Sequence, residues 1–233
     1  MNIKENIFRS VIGSIVLSVI VTACASTEKA KQSTKQSSDQ TAQQISKNKI
    51  TQLNLDNLTA SWPEASRMAI ADLTKKYGTP NEASASMVVW YNNGPWKRSI
   101  VYKEEVTHLF PKKHADVLQQ FVDYKVPVDK YDDIASYDGS VIIERTKGEM
   151  SARCDREEMN FLALNLAREI AEGTKTSEEA RKEYGKSAMS FMAGKKNDYT
   201  DNLNFKVSKN TADPDQGMLK EMMTGKDSEA ATE

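Results

Sequence analysis

Few side chains in this sequence are equipped for chemistry, and they stand far apart along it. The two histidines, His108 and His114, are six residues apart with Pro111 between them. Zinc motifs place their histidines closer, or one helical turn apart around a glutamate. The pair leaves two readings open: a metal site completed by Asp116 or Cys154, or a loop residue at 108 and a helix-start residue at 114. Cys154 in turn is either a small buried hydrophobe or, beside a histidine, a nucleophile or ligand. Trp90, Tyr91 and Trp96 surround a turn and are the candidate binding residues, a flat platform for a sugar ring or a peptide. Against that reading, a strand's period of two must turn one of Trp90 and Tyr91 inward.

Other chemistries fail on pattern. The sequence has no Gly-x-Ser-x-Gly, no acylating serine and lysine set, and no glycine-rich phosphate loop. Asp129, Asp132, Asp133 and Asp138 lack the alternating spacing and turn glycine of a calcium loop. Neither a catalytic residue nor a cofactor follows from the sequence.

The elements that must position these residues fall between 57 and 194. Ser61 and Glu64 have capping-box spacing, and Met68, Ala69, Leu73 and Tyr77 recur at helical intervals up to Gly78. Strands over 87–91 and 99–102 flank Asn92-Asn93-Gly94-Pro95 and read as a hairpin. Because Pro95 lacks an amide hydrogen, a two-residue Asn-Gly turn does not close and the register stays open. Pro111 opens a predicted helix over 111–124, with Val117, Leu118, Phe121 and Val122 as its stripe, and a short helix follows over 129–136.

A second hairpin over 140–154 turns at Lys147-Gly148. A two-residue turn there pairs Arg145 with Met150, Ile143 with Ala152 and Val141 with Cys154, which carries Cys154 inward. Asp155 and Glu158 form a further capping-box pair before a helix that is apolar nearly all round, and a last helix starts at Ser177. The fold class is therefore α+β: a single compact domain in which two hairpins form a small antiparallel sheet packed by about four helices.

The flanks of this domain are of another kind. Residues 24–56 are Ser-, Thr-, Gln- and Lys-rich and read as a flexible tether, and residues 195–233 read as a disordered tail. Lys4, Arg9 and the apolar run 11–21 form a secretory signal too short to span a bilayer, which takes about 20 apolar residues. Its end, Val21-Thr22-Ala23-Cys24, resembles the lipobox of bacterial lipoproteins. That resemblance implies removal of residues 1–23, acylation of Cys24, and a membrane anchor carrying the domain outside the cytoplasmic membrane. Ala25, where inner-membrane retention uses an aspartate, implies delivery to the periplasmic face of the outer membrane in a cell with two membranes.

With Cys24 a thioether, Cys154 has no partner and no disulfide framework exists. The chain of 233 residues carries a net charge of −1, and losing Lys4, Glu5 and Arg9 with the signal removes a net +1 and leaves −2. That balance argues against a nucleic-acid partner.

Asn92-Asn-Gly-Pro-Trp-Lys-Arg98, Asp138-Gly-Ser-Val-Ile-Ile-Glu-Arg-Thr-Lys-Gly-Glu149 and Ala152-Arg-Cys-Asp155 resemble a group of uncharacterised bacterial lipoproteins over residues 60–185. The resemblance implies an envelope location and a shared fold, and no catalytic residues. The expected function is a non-enzymatic binding or scaffold module for an envelope protein or cell-wall component. The alternative is an envelope hydrolase, with or without a metal ion, using His108 or His114. An enzyme should show a pocket collecting those histidines with a carboxylate; a binding module should show an aromatic surface patch.

Overall fold

Strand-forming alternation runs through the middle of the chain much further than two hairpins. The structure, a computed structural model, describes residues 50–195 and 197–219; Cys24, the signal segment and most of the tether lie outside the described residues. Six strands form one antiparallel sheet: β1 (Glu82–Ala83), β2 (Met87–Asn93), β3 (Trp96–His108), β4 (His114–Asp123), β5 (Val141–Glu144) and β6 (Glu149–Cys154), in the order β1-β2-β3-β4-β6-β5. Among the described residues six α-helices accompany it: α1 (Gln52–Thr59), α2 (Glu64–Tyr77), α3 (Tyr131–Tyr137), α4 (Glu157–Ala171), α5 (Ser177–Met192) and α6 (Asp198–Asp201). The domain is α+β, with a six-stranded sheet in place of the small sheet expected. Among the described residues no helix is long and apolar enough to cross a membrane.

The largest correction is β4, where a helix was predicted over 111–124. Leu118 and Val122 lie on the sheet face that the helices cover, while Phe121 lies on the reverse face beneath the guanidinium of Arg98, 3.6 Å from its ring centroid. A central strand shielded on both sides loses its alternation, and apolar residues at 117, 118, 121 and 122 then mimic a helical stripe.

The two hairpins form with other turns than expected. Asn93 pairs with Trp96, so the first turn is Gly94-Pro95. Gly94 takes the positive φ of 63° that a type II′ turn needs in its first position, and the turn is closed by Trp96, so the missing amide of Pro95 costs nothing. In the second hairpin Val141 pairs with Ala152 and Ile143 with Met150, two residues from the expected register, around a loop over 145–148. A shift of two keeps every side chain on its face. Cys154 still points into the core, now beside Leu118 of β4.

Two buried clusters lie along the covered face. Leu55, Ile70 and Leu73 pack on Val88, Trp90, Val101 and Leu118. Leu162, Leu166 and Ile170 of α4 belong to the other cluster, with Val122, Met150, Ala152 and Cys154. Between them lies a buried polar knot. Glu157, the first residue of α4, accepts hydrogen bonds on Oε1 from Tyr77 Oη at 2.6 Å, Trp96 Nε1 and Gln120 Nε2 at 3.2 Å, and Lys76 pairs with its Oε2. The expected capping box at Asp155 and Glu158 does not form; Asp155 pairs with Arg156 instead.

Packing also extends beyond 57–194 on both sides. Leu55 of α1 is fully buried, and Tyr199, Leu203, Phe205 and Val207 pack on the α4 cluster. Asn165 holds this C-terminal segment by donating to the carbonyls of Tyr199 and Asn202. Its tip runs across the second hairpin so closely that a Cβ on Gly148 would meet the Thr211 backbone. The segment is polar in composition, but a few spaced aromatics are enough to seat it.

Candidate functional site

The two histidines end one strand and begin the next. His108 and His114 are a direct cross-strand pair, joined by a loop over 109–113 that contains a cis Phe110–Pro111 peptide bond. Their rings lie 5.0 Å apart between centroids. Asp116 follows His114 by two residues, which in a strand puts it on the same face. Leu118, two further on, pairs with Cys154, so β6 delivers the thiol to the same place. The six-residue spacing that fits no helical motif is the spacing of a hairpin whose first and last residues face each other.

The polar atoms converge. Asp116 Oδ2 lies 3.4 Å from His108 Nδ1, and Asp116 Oδ1 lies 3.0 Å from His114 Nε2. Cys154 Sγ lies 3.3 Å from the same His114 Nε2 and 3.6 Å from Asp155 Oδ1. Asp116 and Cys154 are buried, and the histidine side chains are 18% and 11% exposed. One ligand atom from each of His108, His114 and Asp116 falls within 4.8 Å of the others, close enough to share one ion.

The far nitrogens of both rings are already turned to oxygen. His114 Nδ1 lies 2.8 Å from the Lys112 carbonyl, which only accepts, so Nδ1 carries a proton. Nε2 then faces a carboxylate 3.0 Å away, so either its own proton or a metal cation must lie between them. His108 Nε2 likewise stands 3.7 Å from Asp138 Oδ1, which is buried and also accepts from Ser140. The fixing of the second nitrogen at His114 is what metal-bound histidines commonly show, whereas the His108–Asp138 approach is longer than a hydrogen bond. On the inner side, the buried atoms His108 Nδ1 and Asp116 Oδ1 have no hydrogen-bond partner.

Protonation follows the same electrostatics. Burial works to lower the His114 pKa, but the Asp116 carboxylate and the Lys112 carbonyl outweigh it and hold the ring above its usual value. Burial, reinforced by the negative charges of Asp155 and Asp116, pushes the Cys154 thiol well up, so that without a cation beside it the sulfur keeps its proton. A free thiolate–imidazolium nucleophile is therefore disfavoured here. On its other side the group opens on a cavity of about 190 Å³ between the 109–113 loop and α5, lined by Pro111, Met159, Tyr184, Phe191 and Met192 as well as His114 and Cys154.

The aromatic candidates are not brought together. Trp90 is buried and donates to the Gly78 carbonyl at 2.9 Å. Trp96 is buried against Phe161, 4.8 Å between centroids, and donates to Glu157. Tyr91 alone reaches the surface. Sequence reasoning passed over Asp138 as a companion of His108, because it belongs to the end of α3 and nothing local marks it. Comparison of the chain with family models, curated proteins and solved structures finds no match in any of the three.

Proposed function

We propose that this chain is a lipid-anchored lipoprotein of the cell envelope whose folded domain binds one divalent transition-metal ion at His108, His114 and Asp116. The anchor part of the reading rests on the sequence alone, on the signal segment and on Val21-Thr22-Ala23-Cys24 with its likeness to a lipobox. It puts the domain on the periplasmic face of the outer membrane in a cell with two membranes. The metal part rests on one observation: His108 Nδ1 is buried without a hydrogen-bond partner and faces the same buried Asp116 carboxylate that His114 Nε2 approaches to 3.0 Å, while the His114 Nδ1 is held by the Lys112 carbonyl. A buried polar atom without a partner costs about 1–3 kcal/mol, and an ion shared among these groups removes that cost.

Two imidazoles and a carboxylate suit zinc and its neighbours better than calcium or magnesium, which take oxygen ligands. This reading displaces the aromatic binding module, since only Tyr91 of its three residues is exposed. It keeps the histidines of the hydrolase reading without yet assigning a reaction.

Equilibrium dialysis against zinc tests the metal part, with one ion expected per wild-type chain and a loss of at least tenfold in affinity for Asp116→Ala. Binding that Asp116→Ala leaves unchanged would overturn it. For the anchor, Cys24→Ala should move the protein from the membrane to the soluble fraction; a variant still retained on membranes after a salt wash would refute lipidation at that residue.

A further inference from the structure

Three protein ligands leave a place in a tetrahedral sphere, and what fills it decides whether the ion is exposed for reaction or held. We propose that Cys154 fills it, so that His108, His114, Asp116 and Cys154 together form a closed site that retains a zinc-like ion instead of presenting it to a substrate. The inference rests on the metal reading above and goes beyond it in naming the fourth ligand, the ion class and the use.

The distances between ligand atoms carry the argument. With zinc–nitrogen and zinc–oxygen bonds near 2.0–2.1 Å and zinc–sulfur near 2.3 Å, neighbouring ligands of a tetrahedral ion stand about 3.3–3.6 Å apart. The separations here are 3.4 Å for His108 Nδ1 to Asp116 Oδ2, 3.0 Å for His114 Nε2 to Asp116 Oδ1, and 3.3 Å for His114 Nε2 to Cys154 Sγ. The two edges that meet at His114 Nε2 are thus present to within a few tenths of an ångström, and His108 Nδ1 stands against the other oxygen of the same carboxylate. The sulfur adjoins the cluster from the His114 side. Closing the sphere turns it from its 3.6 Å contact with Asp155 toward the ion. In that step the sulfur–hydrogen bond breaks, the electron pair stays on sulfur and is donated to the metal, and the proton passes to solvent.

The fold holds the thiol in place from two directions. Cys154 is the last residue of β6, where pairing with Leu118 sets it beside the strand that carries His114 and Asp116. It also lies just ahead of α4, whose first residue, Glu157, is tied down by Tyr77, Trp96 and Gln120. The start of a helix is its positive end, which favours the thiolate that binding creates. Met159 and Tyr184 line the same cavity as the sulfur, together with Asp155 and Arg156.

A thiolate among imidazoles and a carboxylate selects zinc over hard cations. A sphere completed by four side chains has no open position for an activated water, so the expected use is metal retention or sensing at the envelope, with no metal-assisted hydrolysis.

Cobalt replaces zinc in such sites and reports its ligands by colour. Protein purified from membranes in detergent should take up one cobalt per chain, with strong visible bands of a four-coordinate ion and a near-ultraviolet band for charge transfer from sulfur. Cys154→Ser should abolish the ultraviolet band and weaken cobalt binding by tenfold or more; Cys154→Ala, which keeps a small apolar side chain in the core, should do the same with an unchanged circular dichroism spectrum. Stoichiometric binding without the sulfur band, and unaltered in both variants, would refute the fourth ligand and leave the three-ligand site standing. Absence of cobalt and zinc binding by the wild type would refute both.

Discussion

Removing the carboxylate of Glu157 should unfold or nearly unfold the domain, whereas replacing it with an amide should cost little. In Glu157→Ala, Trp96 Nε1 and Tyr77 Oη lose their acceptor, and Gln120 Nε2 loses one of two, keeping Ser99 Oγ. Each buried donor left without a partner costs about 1–3 kcal/mol. Water entering the small space freed by the truncation satisfies some of them, so the expected loss is about 3–6 kcal/mol, much of the roughly 5–15 kcal/mol that holds a domain together. In Glu157→Gln the Oε1 acceptor and its three donors remain. Only the Lys76 contact at Oε2 is lost, and Lys76 is half-exposed and turns to water, so the loss should be about 1–2 kcal/mol. Urea unfolding with linear extrapolation separates the two. The reasoning fails if Glu157→Ala lies within 1 kcal/mol of wild type, or if Glu157→Gln is as damaging as Glu157→Ala.

Further outcomes are expected elsewhere. Gly148→Ala places a methyl into the Thr211 backbone at a position with φ of 65°, so the C-terminal segment should detach; protease should then cut between residues 199 and 215 several-fold faster, with the rest of the domain intact. Burial works to raise the pKa of Glu149, but paired Arg98 and Lys97 outweigh it and hold the carboxyl down at about 2. Because the folded value is the depressed one, the stabilisation is complete above the ordinary carboxylate range and is lost as pH falls from about 4.5 toward 2. Allowing for screening at the half-exposed Lys97, it amounts to about 1–2 kcal/mol. Glu149→Gln should therefore flatten the acid limb of a stability–pH curve, and a limb of unchanged steepness would remove Glu149 as its source.

How much could be read in advance depended on what each feature leaves in the local sequence. Period-two alternation places Cys154 on the core face whatever the hairpin loop, because the two registers differ by an even number. The buried helix after it is recognisable from apolar residues nearly all round. β4 was misread because both of its faces are shielded, one by α2 and α4 and the other by Arg98 and its neighbours. That error also hid the site: a helix over 111–124 separates His108 from His114, whereas a strand puts them side by side. Asp138 meets His108 only through tertiary packing, which no spacing along the chain encodes. The seating of residues 199–211 was missed for a different reason: Tyr199, Leu203, Phe205 and Val207 are too sparse to raise the segment's mean hydropathy, yet each finds a place against α4 and its neighbours.

The measurement that bears most directly on the metal centre is anomalous diffraction at the zinc edge from crystals of the protein grown with zinc. The account predicts one strong peak between β3 and β4, about 2.0–2.1 Å from His108 Nδ1 and His114 Nε2 and bonded to Asp116. A map with zinc only at surface carboxylates, and none among His108, His114 and Asp116, would contradict it.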